Sequence, residues 1–198
     1  MTIRPASIGD VNQIVGIHQS AFEGFFLTSL GPSFLTQYYS SFIKNRETVT
    51  LVAVEGTNVL GFSAATVLSQ GFNSRLIKSD FIAYVWLGVK LLFSSPKSLI
   101  RLVKNFTKKS GEVQDDENYG ELFSIGVRSG QQGKGIGKAL LKDTELLIQA
   151  KGVNRLSLTT DYYNNEATLG FYHSMGYKVL YDFVAYPDRK MLRMIKLL

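Results

Sequence analysis

A run of glycines between an apolar strand and an apolar helix most constrains what this chain can fold into. Residues 119–127 are predicted to form a strand, and residues 137–151 a leucine-rich helix. Between them, Gly133, Gly135 and Gly137 fall at alternate positions. The first amides of a helix have no internal acceptor, and the helix dipole adds partial positive charge there. The pattern therefore predicts an anion site suited to a phosphate or pyrophosphate.

Two familiar phosphate-binding motifs do not fit this loop, although Lys134 and Lys138 would add positive charge to it. A Walker loop ends in Gly-Lys-Ser/Thr, but Lys138 is followed here by Ala139, so the magnesium-binding hydroxyl is missing. A dinucleotide fingerprint needs G-x-G-x-x-G, whereas this loop reads G-x-G-x-G and lies deep in the chain. An ordinary glycine turn at the start of a helix is the simpler alternative.

Composition excludes several kinds of chemistry. The 198 residues include no cysteine, which rules out disulfides, thiolate metal sites and a cysteinyl acyl-enzyme. The only histidines, His18 and His173, are far apart, so an HExxH zinc helix is excluded and both are expected to be structural. A net charge of +6 favours an anionic partner without choosing one. The longest apolar run, 81–93, is shorter than the ~20 residues of a membrane span, which predicts a soluble, cytoplasmic protein.

The N-terminal third shows clear boundary signals. Ser7 begins an S-x-x-D pattern that predicts the start of a helix running to about Phe22. Residues 24–31 are expected to form an apolar loop, and Pro32 suits the first turn of a second helix. A hairpin of two strands is predicted over 48–68.

Two patterns together give the glycine loop a family resemblance. The Q-x-x-G-x-G pattern that begins at Gln132 resembles the acetyl-CoA motif of the GNAT superfamily of N-acetyltransferases. The stretch 165–177 resembles the family's Asn…Phe-Tyr-x-x-x-Gly-Phe/Tyr helix, with Thr168 where alanine is commoner. The resemblance covers about residues 1–68 and 119–198.

The resemblance implies a single α/β domain over 1–198. Its mixed, strongly bent seven-stranded sheet is flanked by helices, with a helical insertion over about 70–118 between the third and fourth strands. The fourth strand, 119–127, and the fifth, 154–160, are expected to diverge in a V that takes the pantetheine arm of acetyl-CoA. No metal is expected. The residues implied to bind the coenzyme are Ile125, Gly126, Val127, Gln132, Gly133, Lys134, Gly135, Ile136, Gly137, Lys138, Asn165 and Tyr172.

Acid and base candidates follow from the same resemblance. It implies that Tyr172 donates a proton to the coenzyme sulfur, the alternative being a tyrosine packed in the core. Glu121 is the candidate base, and period-two geometry would place 121, 123, 125 and 127 on one face of the sheet. The alternatives are a solvated carboxylate at the start of the strand, with Asp161 or a bound water as the base. Asn165 is expected to contact the coenzyme, to cap its helix, or both.

Acceptor recognition in this family comes from the first two helices, their loop and insertions. Here that implicates Phe25, Phe26, Leu27 and Thr28 as substrate-binding residues. Residues 70–110 contain eight Lys/Arg and one Asp, a net of +7, so the rest of the chain is at −1. This concentration favours an anionic acceptor, for example an amino sugar on a nucleotide diphosphate.

Several interpretations of the insertion stay open. Two helices are predicted there, an apolar one over 80–93 and a basic amphipathic one over 97–109. They are expected to cover an acceptor pocket, with a homodimer contact, an anionic membrane surface or a solvated basic face as alternatives. A nucleic-acid partner is not expected, because Phe106 is the only aromatic residue of 97–109. A non-catalytic acyl-CoA sensor and a protein or peptide N-acetyltransferase are the rival functions.

Overall fold

The computed structural model describes residues 1–94, 115–185 and 187–198. Its strands are β1 (Thr2–Pro5), β2 (Thr48–Glu55), β3 (Asn58–Thr66), β4 (Gly120–Val127), β5 (Arg155–Asp161), β6 (Lys178–Ala185) and β7 (Arg189–Leu197). The helices of these ranges are α1 (Val11–Ala21), α2 (Phe26–Ser29), α3 (Pro32–Lys44), α4 (Phe72–Ser79), α5 (Phe81–Ser94), α6 (Ile136–Ala150) and α7 (Glu166–Ser174), with a 3-10 turn at Ile8–Asp10.

One mixed sheet holds the strands in the order β1-β2-β3-β4-β5-β7-β6. All neighbours are antiparallel except β4 and β5, which run parallel. These two strands pair only where Gly120–Leu122 meets Leu156–Leu158, while β5 stays paired with β7 along its whole length. The predicted seven-stranded sheet and the divergence of its fourth and fifth strands are therefore confirmed.

A cluster of hydrogen bonds around Asp10 forms at the predicted start of the first helix. The Ser7 amide and hydroxyl donate to Asp10 Oδ2 over 2.7 and 2.8 Å. The Arg4 guanidinium donates to both oxygens of Asp10, each over 2.8 Å. These hydrogen bonds, Arg4's above all, hold the pKa of the Asp10 carboxyl well below its usual range although burial opposes them. This hydrogen-bond cluster fixes the turn that connects β1 to α1.

Two apolar cores cover opposite faces of the sheet. One core gathers side chains from α1, α3, α4 and α5, and the other gathers side chains from α6 and α7. The N-terminus of α6 comes very close to β3, because a Cβ added at Gly61 would lie 2.9 Å from Gly126 O and 3.1 Å from Ile136 and Leu140. A glycine at this position therefore lets the start of α6 rest directly on the sheet.

Some predicted elements differ from the observed ones. The stretch 24–31, expected as a loop, contains the short helix α2, and α4 has no counterpart in the prediction. The apolar helix predicted over 80–93 is observed as α5, whereas the helix predicted over 97–109 lies outside the described residues. Within the described ranges, every helix is too short or too polar to cross a bilayer.

Candidate active site

An open cleft lies between β4 and β5. Along its inner edge β4 pairs with β3 as far as Gly61 opposite Val127, but on the β5 side the pairing stops at Leu122. The outer edge of residues 123–127 therefore has no partner among the described strands, and its backbone groups can bind an extended chain, as in β-strand addition. Ile125 and Val127, predicted to bind the coenzyme, lie on this free edge.

A β-bulge at Phe123 changes which residues of β4 point to each face of the sheet. The register between β3 and β4 shifts so that Phe123 has no partner in β3. Phe123 packs on the α1/α3 core, and Ser124 also bonds on that side, whereas Ile125 and Val127 pack on the α6/α7 core. The prediction that 121, 123, 125 and 127 share one face is wrong for this reason, since a bulge inserts one extra residue into the alternation. Glu121 consequently faces the α1/α3 side, opposite to Ile125 and Val127.

The glycine turn after β4 exposes a row of free amides. Gly133 and Gly135 have φ of +76° and +79°, which only glycine adopts readily, and Gly135 precedes the first residue of α6. In the described chain no acceptor of ordinary geometry serves an amide between Gln132 and Lys138. The first amide of the helix to find one is that of Ala139, which donates to Gly135 O over 3.0 Å. Unpartnered amides at a helix N-terminus form a site for an anion.

Side chains brace this turn without filling it. Gln132 Oε1 accepts from the Gly130 amide over 3.0 Å, so the glutamine shapes the turn with its side chain. Lys134 Nζ donates to Gln131 Oε1 over 2.8 Å, and Lys138 is exposed beside the start of α6. At Gly137, an added Cβ would meet Val127 and Phe171 only at 3.7 and 3.9 Å, ordinary contact distances. The gap between Val127 of β4 and Phe171 of α7 is therefore narrow beside Gly137, but it has room for one more carbon atom there.

Tyr172 lies in α7 on the same side of the sheet as Val127. Its ring packs between Phe171 and Tyr177, at centroid distances of 5.2 and 5.7 Å. Burial raises the pKa of the Tyr172 hydroxyl, so it keeps its proton at neutral pH. The hydroxyl has no hydrogen-bond partner in the described residues, yet it is not sealed in the interior as the Tyr177 hydroxyl is. The ring of Tyr172 is therefore packed in the core, as one of the two alternatives predicted, but its hydroxyl is not engaged in that packing.

Asn165 ties the start of α7 to the end of β5. Its Nδ2 donates to Thr160 Oγ1 over 2.6 Å and to the Asp161 carbonyl over 2.9 Å. Asn165 occupies the N-cap position of α7, but its side chain makes no capping hydrogen bond to the helix. The asparagine instead fixes the far wall of the cleft, and its side-chain oxygen is left without a partner among the described residues.

Glu121 is a buried ion-pair partner. Arg193 Nη1 donates to Glu121 Oε1 over 2.5 Å, and the Ser69 hydroxyl donates to Oε2. The carboxylate is only 7% exposed, so the interpretation as a solvated carboxylate is wrong. Although burial opposes the charge of Arg193, the carboxylate of Glu121 raises the pKa of this guanidinium. Both oxygens of Glu121 are therefore already engaged at the closed end of the cleft.

A second ion pair, against which a residue of the loop after α1 packs, lies at the end of β5. The Arg189 guanidinium donates to both oxygens of Asp161, with Nη2 at 2.5 Å from Oδ2. The Phe25 ring packs against that guanidinium, with 4.1 Å from Cζ to the ring centroid. Phe25 thus joins the loop after α1 to the β6–β7 turn above β5.

The other three acceptor candidates hold that loop in place. Phe26 and Leu27 pack against the α1/α3 core, and Thr28 Oγ1 donates to the Phe22 carbonyl over 2.6 Å. All three are half-buried. Of the four predicted residues, Phe25 is the one that the structure brings to the second ion pair.

A buried chain of polar groups that the sequence does not predict lies behind β4. His18 Nδ1 lies 2.6 Å from Tyr39 Oη, and the Tyr39 hydroxyl donates to Ser124 Oγ over 3.1 Å. Burial lowers the pKa of His18 to about 4, so this histidine is neutral at physiological pH. The chain connects α1, α3 and β4 beside the bulge. No sequence signal reveals it, because the three residues lie in separate elements and none belongs to a motif.

Comparison with known proteins agrees with this site. Residues 12–177 match the sequence profile of the Acetyltransferase (GNAT) family, a span that contains the glycine turn and Tyr172. The chain therefore belongs to the GNAT family of acetyltransferases. No curated protein matches it at the level of sequence.

Solved structures of low sequence identity share the fold along nearly the full chain. The ribosomal-protein-S18-alanine N-acetyltransferase from Escherichia coli is 15% identical with a TM-score of 0.63, covering 99% of this chain and 92% of its own. Aminoglycoside 6'-acetyltransferase type Ii is 17% identical with a TM-score of 0.63, covering 100% and 97%. PaiA N-acetyltransferase from Thermoplasma acidophilum, solved in complex with coenzyme A, is 16% identical with a TM-score of 0.60, covering 100% and 98%.

Proposed function

We propose that this acetyltransferase moves an acetyl group from acetyl-CoA to a primary amine by direct attack in a ternary complex. The observation that carries the proposal is the row of unpartnered amides from Gln132 to Lys138 beside the free edge of β4. The amides would hold the pyrophosphate, and the backbone at Ile125 and Val127 would hold the pantetheine arm. Acetyl-CoA supplies an activated thioester, and its use implies a cytoplasmic location for the enzyme.

Tyr172 is the proposed general acid. As the amine nitrogen bonds to the acetyl carbon and the carbon–sulfur bond breaks, the Tyr172 hydroxyl gives its proton to the departing thiolate. Burial raises the pKa of this hydroxyl, so it carries its proton at neutral pH but is a weaker acid than a solvent-exposed tyrosine. Because the chain contains no cysteine, a cysteinyl intermediate is not available and the amine attacks the thioester directly.

Water is the proposed acceptor of the amine proton. Glu121 and Asp161, the two carboxylates that the sequence left as alternatives, each hold a guanidinium with their oxygens. The oxygens of both carboxylates are occupied by these hydrogen bonds, so neither carboxylate is placed to take a proton from the amine. We therefore assign Glu121 to holding the closed end of the cleft, through Arg193, and Asp161 to holding the β6–β7 turn, through Arg189.

The proposed acceptor is an anionic small molecule, such as an amino sugar nucleotide. The support is the net charge of +7 over residues 70–110, in a chain whose remainder is at −1. The aromatic–guanidinium pair of Phe25 and Arg189 would form one wall of the acceptor side. The neighbours named for ribosomal-protein alanine and for aminoglycosides show that acceptors differ widely within this fold, which keeps a protein or peptide acceptor as the alternative.

An amine-acceptor screen with thiol release as the readout tests this function. The acceptors are amino sugar nucleotides, aminoglycosides and peptides with N-terminal alanine, each with acetyl-CoA. Release with the first class supports the proposal, and release with peptides alone would replace the proposed acceptor. Coenzyme binding without thiol release from any amine would favour an acyl-CoA sensor.

Tyr172→Phe tests the acid in the same assay. We expect kcat to fall by ~10²–10⁴-fold, the usual contribution of general acid–base catalysis, with little change in the Kd of acetyl-CoA. Tyr177→Phe is the matched control, because the Tyr177 hydroxyl is also in α7's core but is sealed from the cleft. If both variants turn over like the parent enzyme, Tyr172 is not the acid.

A further inference from the structure

Helix α5 presents a continuous apolar face to the outside. Ile82 and Trp86 are 78% and 73% exposed, the highest values among the large apolar side chains described on this helix. At ~100° per residue, the exposed large apolar side chains of α5 fall within ~140° of the helix circumference. They are Phe81, Ile82, Val85, Trp86, Val89 and Leu92.

The opposite side of α5 is anchored in the protein. Tyr84 and Leu87 pack against the α1/α3 core, and the Tyr84 ring meets Phe34 edge-on at a centroid distance of 6.1 Å. The outward apolar face is therefore additional to the one that holds the helix. Contiguous exposed apolar patches of this kind are uncommon on monomeric proteins and mark surfaces of interaction.

The charge of the surrounding sequence selects the kind of partner. Asp80, the one acidic residue between 70 and 110, is turned inward, where the Ser41 hydroxyl donates to it over 2.5 Å and Gln37 over 3.2 Å. Lys78 is exposed at the end of α4. After Ser94 the sequence carries five Lys/Arg before its next acidic residue, at position 112.

An anionic bilayer fits both the exposed apolar face of α5 and the basic sequence of residues 70–110. A second copy of this chain would cover the apolar face, but α5 belongs to residues 70–110, whose sequence has a net charge of +7 in each copy, and like charges repel. A nucleic acid would match the charge and leave the aliphatic side chains exposed to water. A bilayer with anionic lipids takes apolar side chains below its headgroups and attracts lysine and arginine at its surface.

We infer that α5 docks this enzyme on an anionic lipid bilayer, with its outer face at the boundary of headgroups and acyl chains. The helix has 14 residues and is thus ~21 Å long, less than the ~30 Å hydrocarbon core, so it lies along the surface. The exposed residues of α5 lie outside the cleft, but the inference uses the same net charge of +7 over 70–110 that supports an anionic acceptor, so vesicle binding and turnover are measured separately.

Trp86 makes the test direct, because it is the only tryptophan of the chain. Its fluorescence is recorded with vesicles of phosphatidylcholine alone and with vesicles that also contain phosphatidylglycerol, and the same vesicles are sedimented. We expect a blue shift and co-sedimentation with the anionic vesicles, weakened by added salt and absent with the neutral ones. Ile82→Glu should weaken vesicle binding about ten-fold or more and leave turnover of a soluble acceptor unchanged.

Leu146→Glu is the matched control. Leu146 is 63% exposed and lies on α6, which packs on the opposite face of the sheet, so this variant should bind vesicles like the parent protein. Unchanged Trp86 emission with anionic vesicles would overturn the inference. A blue shift that grows with protein concentration in the absence of lipid, together with a dimer by light scattering, would overturn it in favour of a second copy. Equal binding by Ile82→Glu and the parent protein would show that α5 is not the docking element.

Discussion

Gly135→Asp tests whether the free amides of the glycine turn hold the coenzyme. Acetyl-CoA at 100 times its Kd stabilises a protein by about 2.7 kcal/mol, which for a chain of this size raises the Tm by about 5–11 °C. An aspartate about 4 Å from a phosphate charge, at an effective dielectric constant of ~20, opposes binding by about 4 kcal/mol. Such a loss weakens binding by about a thousand-fold, and the coenzyme-dependent rise in Tm should then fall below about 1 °C.

Gly152→Asp is the control for backbone strain. Gly152 has φ of +84° and, like Gly135 at +79°, has no neighbouring atom within 4 Å of an added Cβ. It follows the last turn of α6, so the two variants place the same side chain at opposite ends of one helix, about 22 Å apart. Both should lose about 1–2 kcal/mol of intrinsic stability from the left-handed backbone.

Differential scanning fluorimetry with and without acetyl-CoA separates the two effects, because each variant serves as its own reference. The Gly152→Asp protein should keep the full coenzyme-dependent rise in Tm. If Gly135→Asp also kept it, the amides from Gln132 to Lys138 would not be the pyrophosphate site, and the assignment of the cleft would be wrong.

Two further predictions concern stability. Arg193→Met leaves the buried carboxylate of Glu121 without its cation, so urea denaturation should show a loss of about 3–5 kcal/mol in the free energy of unfolding. Adding Glu121→Leu to this variant should restore most of the loss. An unchanged free energy of unfolding for Arg193→Met alone would contradict a buried pair. Asp10→Asn should lose about 1–3 kcal/mol at pH 7. Because the folded pKa of Asp10 is depressed by Arg4, this stabilisation is present above the unfolded pKa of about 3.9 and disappears as the pH falls toward the folded value, so parent and variant should converge in acid. A constant difference down to that range would refute the role of the carboxylate charge.

Features set by local pattern could be predicted from the sequence. Three such features are the glycine turn, the start of α6 and the S-x-x-D hydrogen-bond cluster at Ser7. Each depends on residues within a few positions of one another, and the structure has all three. The divergence of β4 and β5 followed from the family resemblance and is observed in the pairing of these strands.

Features set by distant contacts could not be predicted. The partner of Glu121 is Arg193, 72 positions later, and no local signal joins them. The bulge at Phe123 depends on the register with β3, which a single-strand alternation rule does not contain. The short helix α2 forms where its half-buried apolar side chains meet the core, so packing overrides an expectation of a loop.

The bulge in β4 also has an evolutionary consequence. Leu122, Ile125 and Val127 face the core of α6 and α7, the half that we propose binds the donor, whereas Glu121, Phe123 and Ser124 face the core of α1 and α3, the half that we propose meets the acceptor. One strand thereby carries two sets of positions that can mutate separately. A lineage built on such a strand can exchange the molecule it modifies while the grip on its common donor stays intact.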